Sequence, residues 1–376
     1  TLVDLSLDSF KKSMLKINYQ KTSNDNYLKL FDLQSPLLLD DNSVLESKIE
    51  FDLEHENYDL ITSFEMYETL NGSNNDRYQY VLPNYNFSKN FNLKMITGNF
   101  NFISYGNNTL NDTNVLTSSI ANDLNYSALN KFFDSGIKTN FEISLKNINT
   151  VGKNNTTYKN SPQSELMSAY TYNASFPLIK KNFKTFNTLE PKLSLRFSPH
   201  EMKNNSKISR RIDIGNVFAA NRLSLDNSFE AGESITLGLN FKKEKINTVN
   251  EISKIEEYID FKLASVFRLN EEKSIPTNST LNKKNSNIFG QFNFKPINNI
   301  SLGYNFSLTS DLDTFEYNSL ITKMEFGNFV TQFDYLEEKG IIGNTSIIEN
   351  TTKYNFDDKN FISFNTRRNR KLDLTE

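Results

Sequence analysis

The chain has 376 residues, of which 37% are apolar, with a mean hydropathy of −0.55 and a formal charge of −3. It holds no cysteine, which excludes a disulfide framework, a thiolate zinc site and a cysteine nucleophile. The 42 Lys and Arg stand against 45 Asp and Glu with no basic stripe, which argues against a nucleic-acid partner.

That apolar share is low for a chain that must bury a large soluble core, yet 31 Phe and 17 Tyr are unlike a disordered composition. A membrane β-barrel reconciles the two, because its strands carry an apolar outer face and a polar, wet inner one. On pattern alone, a soluble all-β repeat protein or an extracellular sandwich is the alternative. No apolar run approaches the ~18 residues of a spanning helix.

In chain order, Thr1-Leu2-Val3-Asp4 has neither an initiator Met nor a signal-peptide stretch, and it reads as a piece cut from a longer precursor. Further on, apolar and polar residues alternate with period two. Ile137, Phe141, Ile143 and Leu145 alternate with Lys138, Asn140, Glu142, Ser144 and Lys146. Leu166, Tyr170, Tyr172, Ala174 and Phe176 alternate with Met167, Ala169, Thr171, Asn173 and Ser175. Ile235, Leu237, Leu239 and Phe241 alternate with Thr236, Gly238, Asn240 and Lys242. Leu302, Tyr304, Phe306 and Leu308, expected to face lipid, alternate with Ser301, Asn305, Ser307 and Thr309, expected to face the lumen. Successive strand side chains point to opposite faces, so each segment is a two-faced strand; a helix needs apolar spacings of three and four.

Breaks come about every 10–20 residues and divide the chain into about seventeen strands. They carry turn residues at Asn71-Gly72-Ser73-Asn74-Asn75, Gly106-Asn107-Asn108, Asn154-Asn155, Asn204-Asn205 and Asn298-Asn299. Lys295 to Asn299 is tight, whereas Ser198 to Asp226 is a long excursion with little alternation. Short turns at one end and long loops at the other are the habit of outer-membrane barrels. No linker divides the chain, so residues 1–376 are expected to form one domain. The end, Leu372 to Glu376, stops inside a strand-like alternation and reads as truncated.

Catalytic constellations are missing from the pattern. His55 and His200 stand far apart and read as surface or lumen residues. Asp40-Asp41, Glu256-Glu257 and Asp357-Asp358 read as solvated acids in turns or at strand ends. Arg367-Arg368-Asn369-Arg370-Lys371 is either a solvated turn or a contact with phosphate-bearing lipid. No residue is nominated as catalytic, cofactor-binding or metal-ligating, and no cofactor is expected.

Four stretches stand out in order: Arg77 to Phe87 (R-Y-Q-Y-V-L-P-N-Y-N-F), Leu189 to Pro199 (L-E-P-K-L-S-L-R-F-S-P), Asn221 to Gly238 (N-R-L-S-L-D-N-S-F-E-A-G-E-S-I-T-L-G) and Asn360 to Glu376 (N-F-I-S-F-N-T-R-R-N-R-K-L-D-L-T-E). Together they resemble the β-barrel domain of the outer-membrane lipopolysaccharide-assembly family LptD (OstA). One departure is visible: Leu225-Asp226-Asn227-Ser228 stands where the family usually has Gly-Asp-Asp/Glu-Arg. The resemblance implies an all-β, large antiparallel transmembrane β-barrel, here a fragment of a roughly 26-stranded one. Its family's periplasmic jelly-roll domain and final strands fall outside this sequence. It implies a transporter in the outer membrane of a Gram-negative bacterium, not an enzyme. The implied partners are lipopolysaccharide, an LptE-like plug lipoprotein, an LptA-like periplasmic bridge and outer-membrane lipids.

In such a machine the sugars cross a polar lumen and the acyl chains leave by a weakly paired seam. Proline lacks an N–H and suits such a seam; Pro36 and Pro83 lie toward the beginning of the chain, and the pattern places neither at the seam. A porin or receptor for small solutes is the alternative, and a secreted adhesin a third.

Overall fold

A computed structural model of the chain describes residues 1–31, 43–71, 77–91, 97–249, 252–357 and 359–375. Pro36, Asp40, Asp41, Gly72 to Asn75, Asp358 and Glu376 therefore lie outside the described residues. Contacts group the chain into two compact units, one of Thr1–Leu129 with Ile143–Ser168, the other of Asn130–Glu142 with Ala169–Glu376.

The first unit opens with seven strands: β1 (Leu2–Asp4), β2 (Lys12–Asn18), β3 (Val44–Glu54), β4 (Tyr58–Thr69), β5 (Tyr78–Phe91), β6 (Gly98–Asn111) and β7 (Val115–Ala128). Each pairs antiparallel with the next. The register puts Ile17, Ile49 and Phe64 in one cross-strand row and Asn18, Lys48 and Glu65 on the other face beside it. Pro83 sits where the β5–β6 register shifts between Val81 and Asn84, so its missing N–H falls at an existing break in the ladder. The turn expected at Gly106-Asn107-Asn108 is not there. These residues continue β6, and a Cβ on Gly106 would come within 2.4 Å of the Ser119 carbonyl oxygen on β7. This glycine serves close strand approach instead of a turn.

The remaining strands are β8 (Lys131–Phe132), β9 (Lys138–Lys153), β10 (Gln163–Ser175), β11 (Leu178–Lys181), β12 (Thr185–Ser198), β13 (Gly232–Val249), β14 (Ile252–Arg268), β15 (Asn285–Ile297), β16 (Ile300–Leu308), β17 (Phe315–Phe326), β18 (Phe329–Glu338), β19 (Thr345–Asn355), β20 (Phe361–Asn369) and β21 (Leu374–Thr375). β9 and β10 contribute residues to both units. In the second unit β10 and β11 pair with β12, and β12 to β21 then run antiparallel, each to the next. Setting aside β1, β8, β11 and β21, each of four residues or fewer, leaves seventeen strands among the described residues, as the turn spacing anticipates. The only helices there are one turn at Tyr27–Leu30 and a 3-10 turn at Thr277–Ser279, neither long enough to cross a membrane. The all-β expectation holds.

Connections in the second unit are short at one end and long at the other. β17 and β18 join through Gly327 and Asn328, with Gly327 at φ 58° supplying the left-handed backbone a tight hairpin needs. At the opposite end lie residues 269–284 and 199–231. Glu256 and Glu257, expected in a turn or at a strand end, instead lie within β14, paired with Lys245 and Glu244 beside a bulge. The long β13–β14 pair extends past the point where turn residues would have ended it.

Which face is buried settles the class of sheet. On β12 and β13, Leu195, Phe197, Ile235 and Leu237 are 41%, 44%, 37% and 49% exposed, whereas Ser194, Arg196, Ser234 and Thr236 are 4%, 6%, 3% and 1% exposed. A water-soluble sheet does the reverse, since every exposed apolar Å² there forfeits about 25 cal/mol. Acyl chains remove that penalty. Leu302, Tyr304 and Phe306 share the apolar face with Phe292 and Phe294, while Asn305 and Ser307 share the other with Gln291 and Phe289. The period-two alternation expected over Leu302–Leu308 is present in this register.

Candidate functional site: the buried polar face of the second unit

Period-two alternation places Arg196 of β12, Ser234 of β13 and Arg268 of β14 in one cross-strand row on the polar face. Neighbouring strands lie ~4.8 Å apart, so two guanidinium groups start within reach of a single third group. Glu230, in the connection just before β13, supplies it. Its Oε1 accepts from Arg268 Nη1 at 2.5 Å and from Arg222 Nη2 at 2.6 Å, and its Oε2 accepts from Arg222 Nε at 2.7 Å. Arg196 Nε stands 3.8 Å from the same Oε2.

The excess positive charge is spread over neutral acceptors. Arg222 also donates to Ser234 Oγ at 2.9 Å and Thr236 Oγ1 at 3.0 Å. Arg268 donates to the Ala231 carbonyl, and Arg196 to the Ala220 carbonyl. Burial alone would raise the pKa of Glu230, but Arg222 above all, then Arg196 and Arg268, pull it down to about 2. Arginine suits this knot because its planar fork binds a carboxylate by two parallel bonds and keeps its charge when buried.

Around the knot, the excursion 199–231 folds onto the polar face. Met202, Ile212, Val217, Leu223, Leu225 and Ala231 form one apolar cluster with Ala264 and Val266 of β14, Phe289 of β15, and Ile275 and Leu281 of residues 269–284. The two connections are tied together: Asn205 N donates to the Ser274 carbonyl at 2.8 Å and Asn278 Nδ2 to Ser209 Oγ at 2.8 Å. Farther along, Arg211 lies over the Tyr317 ring at 4.2 Å and reaches Glu338 Oε1 at 3.0 Å. The largest apolar core among the described residues thus sits on the polar side of a sheet, under its longest connections.

Comparison with known proteins decides the identity. A family model described as LptD, LPS transport system D, matches residues 7–366. The chain belongs to the LptD family. That membership places it among outer-membrane β-barrel proteins, as the four stretches implied. No curated protein sequence matches it. Among solved structures it is similar to the siderophore receptor PirA from Acinetobacter baumannii (8% identity, TM-score 0.31, covering 87% of this chain and 66% of that one). It is also similar to the RagAB peptide transporter (10%, 0.36, 87% and 50%) and to the FrpB iron transporter from Neisseria meningitidis (10%, 0.30, 96% and 68%). The chain therefore spans about two thirds or half the length of these proteins.

Two of the LptD-like stretches carry the knot. Leu189 to Pro199 supplies Arg196, and Asn221 to Gly238 supplies Arg222, Glu230, Ser234 and Thr236. The departing residues Leu225-Asp226-Asn227-Ser228 are packed into the excursion: Leu225 and Ser228 are fully buried, and Asn227 Oδ1 accepts from Asn205 Nδ2 at 3.2 Å. Sequence reasoning missed the four charged partners, although a signal was present. Arginine is rare in this lysine-rich chain, and Arg196 and Arg268 stand at polar-phase positions of strands. The other residues singled out are scattered. His55 stacks on Tyr58 at 4.5 Å in the β3–β4 turn, and His200 lies in the excursion 6.2 Å from the Phe229 ring. Arg367 to Lys371 ends β20 and begins an exposed turn, where Arg368 pairs with Asp373 at 2.9 Å. Among the described residues no three potential metal ligands meet.

Proposed function

We propose that the full-length protein moves lipopolysaccharide into the outer leaflet of the outer membrane without covalent chemistry. The observation that carries this reading is the family match over residues 7–366. The chemistry of the polar face supports it: Asn305, Gln291, Ser319 and Lys262 share one face and offer replaceable hydrogen bonds to saccharide hydroxyls. Both contact units are read as parts of one barrel domain, whose apolar face meets lipid and whose seam releases the acyl chains. A plug lipoprotein of the LptE kind and a periplasmic bridge of the LptA kind complete the reading.

Depleting the protein should leave newly made lipopolysaccharide behind the outer leaflet, out of reach of surface probes. A photo-crosslinker at Asn305 should capture the glycan and one at Phe306 should not. Normal surface lipopolysaccharide on depletion, with loss of uptake of a small solute, would replace this reading by a porin or receptor.

A further inference from the structure

A cavity of about 170 Å³ opens on the polar face of the second unit, away from the arginine knot. Its walls include Lys138 and Asn140 of β9, Asn173 of β10, Glu190 and Lys192 of β12, and Phe218 from the folded excursion. One water needs only ~10–15 Å³ on this measure, so the space admits a ligand of several heavy atoms.

The walls are built, not incidental. Asn173 Nδ2 donates to Asn140 Oδ1 at 3.0 Å, while Asn173 Oδ1 is buried with no hydrogen-bond partner. Buried polar atoms in native proteins are nearly always paired, so this acceptor awaits a donor. Glu190 Oε2 takes Lys192 Nζ at 3.4 Å and Asn240 Nδ2 at 3.5 Å. Phe218 is held in place by Gly238, where a Cβ would stand 2.5 Å from the ring's Cζ. The glycine lets the tip of the excursion come down onto β13 and form one wall.

Adjacent amides, a carboxylate and an aromatic ring are the groups that recognise a sugar. Hydroxyls both donate and accept, and the apolar face of a pyranose takes an aromatic wall. The charges go further. Lys192 is matched by Glu190, but Lys138 has no carboxylate within ion-pair distance among the described residues, so the walls carry one surplus positive charge. We infer that this cavity is a subsite for a single acidic sugar, one bearing a carboxylate or a phosphate, within the glycan that crosses the polar face. The inference rests on the transport reading above.

The test uses the full-length protein in detergent micelles and saturation-transfer NMR with millimolar glucose, glucuronate and glucose 6-phosphate. The two acidic sugars should saturate at least about five-fold more strongly than glucose, the contribution of a charge-assisted hydrogen bond. Lys138→Gln should abolish that preference and leave the glucose signal unchanged. Phe218→Ala, and Gly238→Ala through displacement of the ring, should weaken all three sugars about five-fold. Equal signals from the three sugars overturn the acidic assignment, and no signal from any of them overturns the subsite. Glucuronate alone or glucose 6-phosphate alone would fix which acid is bound. In cells, lipopolysaccharide captured by a crosslinker at Asn305 but not at Asn173 defeats the subsite and spares the transport reading. Capture at neither position, with normal surface lipopolysaccharide on depletion, defeats the transport reading itself.

Discussion

The polar faces of the two units use opposite charges in different ways. In the first unit they form a ladder of half-exposed lysines: Lys12 meets Asp52 at 2.7 Å, Lys16 meets Glu50 at 2.7 Å and Asp52 at 3.3 Å, and Lys48 meets Glu50 at 2.7 Å and Glu65 at 3.4 Å. In the second unit they form one buried knot of three arginines on a single carboxylate, roofed by an apolar cluster. Each rung of the ladder is wet and has an alternative partner, so its loss is shared. In the knot, the side chains of Glu230, Arg222 and Arg268 are each only 2% exposed, so the carboxylate has no solvated substitute. Burial, not the number of ion pairs, decides how much one residue matters.

The largest effect should come from Glu230→Ala, which leaves three guanidinium groups without their counter-charge. Removing one partner of a buried ion pair costs about 3–5 kcal/mol, to be read as a lower unfolding temperature in detergent and as rapid hydrogen exchange over residues 199–231. If exchange there is unchanged, the knot does not hold the excursion.

Acid should reproduce this more gently. The folded pKa of Glu230, about 2, lies below its ordinary 4.5. Its contribution is therefore complete above pH 4.5 and is lost as pH falls from there through about 2, while the arginines stay charged throughout. Exchange over residues 199–231 that rises with acid in the wild type, but not in Glu230→Gln, checks the sign.

Next in size, Phe306→Arg should cost roughly 2–4 kcal/mol if it sits near the midplane, and Asn305→Arg far less, as measured by denaturant titration in lipid vesicles. Equal tolerance would mean that the two faces are not distinct. Smallest of all, Lys16→Ala in the ladder should cost about 0.2–1 kcal/mol and less in high salt. A cost that matches Glu230→Ala would erase the contrast between the two faces.

Most of the fold was legible in the sequence, because period-two patterning acts locally. A strand such as Ile235 to Phe241 declares its two faces within seven residues. Turns were less legible. Asn298-Asn299 is one, but Gly106 is part of a strand, since glycine answers to close packing as well as to reversal. The site was hardly legible at all. Arg196 and Arg268 lie on two strands, Arg222 and Glu230 in the connection between β12 and β13, and only the register of β12, β13 and β14 brings them together. The excursion gave no period because its apolar residues pack as an irregular lid over a sheet. The four LptD-like stretches marked where to look, but not which side chains would touch.

Arg268 bears on how the wall is assembled. Glu230 and its two other arginines all precede β14 in the chain, so the knot stays open until β14 zips onto β13. A slip of one residue in that zipping would turn Arg268 outward among acyl chains and take from Glu230 Oε1 one of its two arginine hydrogen bonds. One buried charge thus acts as a key cut for a single alignment: the correct pairing of two long strands closes the knot, and a neighbouring one is rejected on both faces at once.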